Sequence, residues 1–182
     1  MSTSPATGEG ERVNPSWIVW AGASLFSIAI VGLIISAPLA QAHNHQFAST
    51  IYRAFSFVCH QLPERSFHLD DHQFAVCSRC TGLYSGFALA TLCYPLTRSL
   101  TRTDTPSRLW LLLAVVPLAI DFSLGYFDIW KNTQLTRFST GALLGAVAVF
   151  YIMPGLIQLS RMICKPATAG DSVKPGRELQ GR

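Results

Sequence analysis

Three of the five cysteines, Cys59, Cys77 and Cys80, fall with three of the five histidines, His60, His68 and His72, in one stretch, CHQLPERSFHLDDHQFAVCSRCTG, residues 59–82. His43 and His45 lie just upstream, so every histidine belongs to the same segment. Thiolates and imidazoles are the natural donors for a tetrahedral Zn²⁺, and a Cys-His…Cys-x-x-Cys set supplies four of them. Cys59, His60, Cys77 and Cys80 are therefore a candidate metal centre. Neighbouring residues rarely reach one ion together, so His68 or His72 is an alternative fourth ligand. Zinc is the expected ion, and the sulfur-rich set also suits Cu(I) or iron.

The same residues support two other readings. Cys77-Ser-Arg-Cys80 stands at the mouth of an apolar helix, where backbone N–H groups and the helix dipole favour a thiolate. A quinone-linked thiol–disulfide oxidoreductase uses such a pair, with Cys59 as the exchanging loop thiol. An odd third thiol argues against that arrangement. Cysteine is also a small buried hydrophobe, so a purely structural membrane protein is the third reading. Cys93 and Cys164 lie at other depths and read as plain apolar thiols.

Asp121 lies twelve residues into the expected span beginning at Leu109, close to the bilayer centre, where a carboxylate is expensive unless protonated, paired or hydrated, which makes it a candidate proton carrier. Gly125 and Asp128 follow it at i+4 and i+7, on one helical face. Arg137 lies on the same side of the membrane and is its expected counter-charge. A structural Asp–Arg pair accounts for both equally well. Arg65, Arg79 and Arg137 would ring a vestibule beside the cysteines, suited to an anionic lipid headgroup, a polyprenyl phosphate or another anion. Snorkelling at the interface explains three arginines more simply.

Four helices must position these groups. Hydrophobic residues make up 49% of the chain and charged residues 13%, about half the charge usual in a soluble domain. Residues 17–40 carry no charge and would span about 36 Å as a helix, against a hydrocarbon core of roughly 30 Å. That stretch is too long for a cleaved signal peptide and reads as a retained span. Further spans are expected at about 78–96, 109–130 and 138–160, with Pro117 able to kink the third. Gly82 with Gly86 and Gly141 with Gly145 are GxxxG pairs, which let helices approach closely. Phe47, Ile51, Phe55 and Val58 recur at helical spacing and predict an interfacial helix before the Cys/His-rich loop. Asp70 and Asp71 read as a solvated acidic pair. Trp17, Trp20, Trp110 and Trp130 mark span ends as an aromatic belt.

The expected fold is thus an all-α integral membrane four-helix bundle, one domain over residues 16–164, with disordered tails at 1–15 and 165–182. Four crossings put both termini and the 97–108 loop on one side. That side holds Arg12, Arg98, Arg102, Arg108, Arg161, Lys165, Lys174, Arg177 and Arg182, nine of the fourteen basic residues. The positive-inside rule makes that side cytoplasmic in a multi-pass protein of the cell membrane and turns the cysteines outward.

CHQLPERSF, VCSRCTGLYSG, an intramembrane Asp and a closing R-x-x-TG-x-x-x-G together resemble a family of small prokaryotic membrane proteins, domain-of-unknown-function family 2085. The resemblance covers roughly residues 50–150. Matching positions are Cys59, His60, Gln61, Arg65, Ser66, Cys77, Arg79, Cys80, Gly82, Asp121, Arg137, Gly141 and Gly145. It implies a membrane architecture and no particular activity.

The net charge of +4 is too small and too scattered for nucleic acid. There is no phosphate-binding glycine loop, no HExxH and no Ser-His-Asp pattern, so any catalysis would be metal- or thiol-based.

Overall fold

A computed structural model describes residues 15–43 and 45–163; both tails, with Cys164, lie outside the described residues. The described residues are mostly helical. The five helices are α1 (Pro15–His43), α2 (His45–Ser56), α3 (Ser78–Thr97), α4 (Arg108–Tyr126) and α5 (Gln134–Ile163). Between α2 and α3 lie a single 3-10 turn, Pro63–Arg65, and a hairpin of two short antiparallel strands, β1 (His68–Leu69) and β2 (His72–Gln73).

Three helices, α1, α4 and α5, are long and apolar enough to cross a membrane. Most of their large hydrophobic side chains point outward, including Leu25, Phe26, Leu112 and Ile120, the pattern expected of lipid-facing helices. α3 is 20 residues long but richer in Ser, Thr and Gly. Its polar and small residues Ser78, Thr81, Gly82, Gly86 and Thr91 are buried: α3 packs chiefly against α5 and also against α1, while α4 packs on α5.

The glycines explain how closely α3 and α5 approach. A Cβ on Gly82 would lie 2.1 Å from the Phe138 carbonyl oxygen, and one on Gly86 would lie 2.2 Å from that of Ala142. From the other side, Cβ atoms on Gly141 and Gly145 would lie 2.1 Å from the carbonyls of Arg79 and Leu83. Each helix lays its glycines on the other's backbone, where any side chain would force the pair apart.

α1 is tied to α3 and its approach by two carbonyls that prolines release. Pro38 has no N–H for the Ile34 carbonyl, and the Ala75 amide lies 3.5 Å from that oxygen instead. Pro95 likewise leaves the Thr91 carbonyl free, and the Trp20 indole donates to it at 2.8 Å. Trp20 is thereby a hydrogen-bonded anchor and not only a belt residue. Around the first junction Ile34, Ala37, Ile51, Phe55, Cys59, Ala75 and Val76 form one buried cluster. At the opposite end Tyr94, Leu100, Val149, Met153 and Ile157 form a second.

At that opposite end the Arg161 guanidinium donates to Ser16 Oγ at 3.2 Å and reaches the Leu100 and Thr101 carbonyls at 3.4 Å. The start of α1, the α3–α4 loop and the end of α5 therefore meet at one end of the bundle. The cysteine segment occupies the other.

Two local expectations need correction, and one gains detail. The buried stripe of α2 is Ala48, Ile51 and Phe55, whereas Phe47 and Val58 are exposed; α1 covers only the narrow face that Ala48 leaves open. Asp70 and Asp71 are exposed, as a solvated acidic pair should be, and they form the hairpin turn, both at positive φ (49° and 62°), a left-handed conformation that aspartate tolerates better than most residues. α4 stops at Tyr126, so Asp121 stands in its last turns, not near mid-span, and Asp128 (φ 54°) lies in the following loop, off the face it was expected to share.

Candidate functional site: a thiol triad beside three arginines

Cys59 follows α2, held by its amide's 3.0 Å hydrogen bond to the Phe55 carbonyl. Cys77 is the residue that caps the start of α3, and Cys80 sits one turn in. Their three sulfurs lie within 4.8 Å of one another, and all three are free thiols. Cys59 is buried and the other two are half-buried. The Cys77 amide donates to the Cys59 sulfur at 3.2 Å. Hydrogen bonds from the Cys59 thiol and then the Cys80 thiol lower the Cys77 pKa below the ordinary thiol value, and the Cys80 and Arg79 amides at the helix mouth add to it.

Gln61 clamps the two cysteine-bearing segments together. Its side-chain amide donates to the Tyr52 carbonyl at 2.7 Å and the Ala75 carbonyl at 2.8 Å, while its backbone sits at φ 50°. Tyr52 in turn donates its phenol to the Gln73 carbonyl, and burial raises its pKa, which keeps it a neutral donor. Sequence reasoning gave Gln61 no role. Its place beside Cys59 and His60 in the CHQ motif was the available signal.

The sulfurs face a cleft of about 380 Å³ that Arg65, Arg79, Arg137, His60 and Phe122 also line. A smaller hollow of about 160 Å³ shares Arg65, Arg79, Phe122 and Arg137 and continues to Gly125 and Asn132. His60 is exposed at the cleft and is not part of the close sulfur group. His68 and His72 line a different hollow, with Gln41, Tyr52 and Asp71, on the hairpin's side of the fold. The structure thus brings three of the expected ligands together and leaves the histidines apart from them.

The carboxylate of Asp121 is ion-paired with Arg79, not with the Arg137 expected from sequence. Arg79 projects from the first turn of α3 across to α4, and its guanidinium lies over the Phe122 ring at 5.6 Å. Asn132 donates to the Asp121 carbonyl, and Gly125 makes room for it: a Cβ there would meet the Asn132 amide nitrogen at 2.8 Å. Cys93 lies 13 residues beyond Cys80 along α3, about 20 Å away, and takes no part.

A description of predicted membrane proteins, DUF2085, matches residues 59–151, from the first thiol to the middle of α5. The chain belongs to the DUF2085 family. An uncharacterised protein of Methanocaldococcus jannaschii is 36% identical over 104 residues, 57% of this chain and 67% of the relative. An uncharacterised protein of Methanothermobacter thermautotrophicus is 39% identical over 87 residues, 48% of this chain and 77% of the relative. No solved structure matches the chain. The DUF2085 region holds the thiols, Arg65, Arg79, Asp121, Arg137 and all four packing glycines, and it begins after α1 and α2.

Proposed function

We propose that this DUF2085 protein is a multi-pass membrane protein that holds a divalent metal ion, zinc first, on Cys59, Cys77 and Cys80 at one membrane face. The carrying observation is the approach of three sulfurs to within 4.8 Å from segments eighteen residues apart. Tetrahedral zinc with Zn–S bonds of about 2.3 Å sets sulfurs roughly 3.8 Å apart, so small shifts close the site around an ion. The fourth position faces the cleft, where His60 or water can complete it. A water-completed site would offer a Lewis acid for chemistry on a bound substrate, which extends the reading to a metal-dependent membrane enzyme. Copper(I) and iron suit the same sulfurs.

Four crossings fit this reading. α3 starts beside the C-terminal half of α1 and ends beside its N-terminal turns, through the Ala75–Ile34 and Trp20–Thr91 contacts. It therefore runs the same depth as α1 in the opposite direction. Its modest hydropathy reflects a position enclosed by its neighbours. With both described ends and the α3–α4 loop on the more basic side, the termini are cytoplasmic and the thiols extracytoplasmic.

Cobalt(II) titration of the metal-stripped full chain tests the site. Thiolate-to-cobalt charge-transfer absorption that saturates at one equivalent and is lost in Cys59→Ser and Cys77→Ser is expected. No thiolate band in the wild-type protein would refute it.

One observation favours a second reading, the lowered pKa of Cys77 within reach of two further thiols. In quinone-linked exchange two thiols become a disulfide, and their two electrons and two protons reduce a quinone to a quinol. A disulfide among these three cysteines in protein isolated without reductant would favour it over the metal.

A further inference from the structure

We propose that the cleft beside the thiols binds a phosphate group through Arg65, Arg79 and Arg137. This extends the metal reading to a ligand of the same cleft, but it stands on the guanidinium groups and does not require the ion. The three cationic side chains line two adjoining hollows of about 380 and 160 Å³. Among the described residues, Asp121 is ion-paired with Arg79, and Glu64 touches Arg65 at 4.0 Å with both side chains half or more exposed. Arg137 has no ion pair among the described residues. The Nε atoms of Arg79 and Arg137 are buried without a hydrogen-bond partner. Buried N–H donors on permanent cations are costly to leave unmatched, so their enclosure points to an anion that accepts from them.

The thiols do not remove that need. Three thiolates around a divalent ion keep one negative charge, and with Asp121 this offsets two of the three guanidinium charges. One positive charge remains when the exposed Glu64, which does not line the cleft, is left aside, and the cleft's donors come as flat forks. Such forks match the paired oxygens of a tetrahedral phosphate better than they match chloride or a single carbonyl. Val58, Leu62 and Phe122 form the apolar part of the lining, 62%, 38% and 53% exposed, so the cleft opens beside surface suited to hydrocarbon. A phosphate that carries a lipid chain fits both halves, while free phosphate shares only the headgroup chemistry.

The test uses the detergent-solubilised full chain, with phosphatidic acid and phosphatidylcholine as lipid probes in native mass spectrometry and inorganic phosphate in calorimetry. Phosphatidic acid is expected to bind at least about tenfold more tightly than phosphatidylcholine, the scale of one charge-assisted hydrogen bond. Arg137→Gln and Arg65→Gln should each abolish most of that preference, and Arg53→Gln, on the exposed face of α2, should keep it. The half-exposed Arg65 can be changed without disturbing the fold, which covers a failure of Arg137→Gln to fold. Inorganic phosphate binding as tightly as phosphatidic acid, with the same arginine dependence, supports a free phosphate; tighter binding of the lipid supports a headgroup. No arginine-dependent binding of either probe overturns the inference. Metal content measured on the same samples separates the two claims: metal without phosphate binding overturns this inference alone, and phosphate binding without metal overturns the metal reading alone.

Discussion

The Arg79 guanidinium donates to the Asp121 carboxylate and so joins the first turn of α3 to the last turns of α4. Their side chains are only 23% and 11% exposed, and α4 otherwise buries little more than Ala114. This pair is therefore a main attachment of α4 to α3. It also sets Arg79 one residue from Cys80, with its guanidinium at the cleft.

Replacing Asp121 by Asn keeps the shape and removes the charge. Breaking one side of an enclosed pair leaves Arg79 uncompensated, and about 1–3 kcal/mol should be lost. The midpoint of thermal unfolding in detergent should fall, and fall less in Asp121→Asn/Arg79→Gln than the two single losses combined. Additive losses would mean that the pair contributes no coupling.

Gly145→Ala should destabilise by about 1–3 kcal/mol, because its Cβ would lie 2.1 Å from the Leu83 carbonyl oxygen on a backbone that cannot move aside alone. Gly22→Ala has nothing within 4 Å and should be neutral or stabilising by up to about 1 kcal/mol through helix propensity. Thermal midpoints of the two variants side by side check the contrast.

Trp20→Phe deprives the Thr91 carbonyl of the donor that replaces the N–H missing at Pro95. A buried carbonyl left unpaired costs about 1–3 kcal/mol. In a Pro95→Ala background the helix regains its own donor, so the same Trp20→Phe change should cost clearly less. Equal costs in both backgrounds would show that Trp20 acts through packing alone.

How far the sequence reveals this site depends on how local each relationship is. Cys77 and Cys80 are three positions apart, about one helix turn, and Gly82 with Gly86 and Gly141 with Gly145 are each four apart, so both patterns show directly. Trp20 with Thr91 and Arg79 with Asp121 are 71 and 42 residues apart, and nothing in one partner's neighbourhood specifies the other. Arg137 was the nearer choice along the chain, but Asp121 shares a level with the start of α3. Asp121 stands nearer the helix end than a span over 109–130 implies, because Phe127, Ile129 and Trp130 are apolar yet leave the helix, with Ile129 and Trp130 both donating to the Leu124 carbonyl. The hairpin was invisible for another reason: its strands are two residues each and its turn lacks the usual glycine.

The Cys77 pKa is lowered, chiefly by the Cys59 and Cys80 thiols. Below the ordinary thiol value of about 8.5, the folded metal-free protein then holds fewer protons at this site than the unfolded chain. Stability contributed by Cys77 should therefore rise with pH through the window between the two values and be lost as pH falls through the lower one. Alkylation of Cys77 in metal-stripped protein should persist at pH 6, whereas a free model thiol slows about tenfold per unit. Alkylation that follows the model thiol's pH dependence would contradict the thiolate.

Metal analysis of the purified full chain, taken with the reactivity of Cys59, Cys77 and Cys80, tests the central claim most directly. About one equivalent of zinc, copper or iron is expected in protein isolated without chelator, with the three thiols reduced but protected from alkylation until the ion is removed. Less than about a tenth of an equivalent of any of these metals, together with a disulfide among the three cysteines, would contradict it.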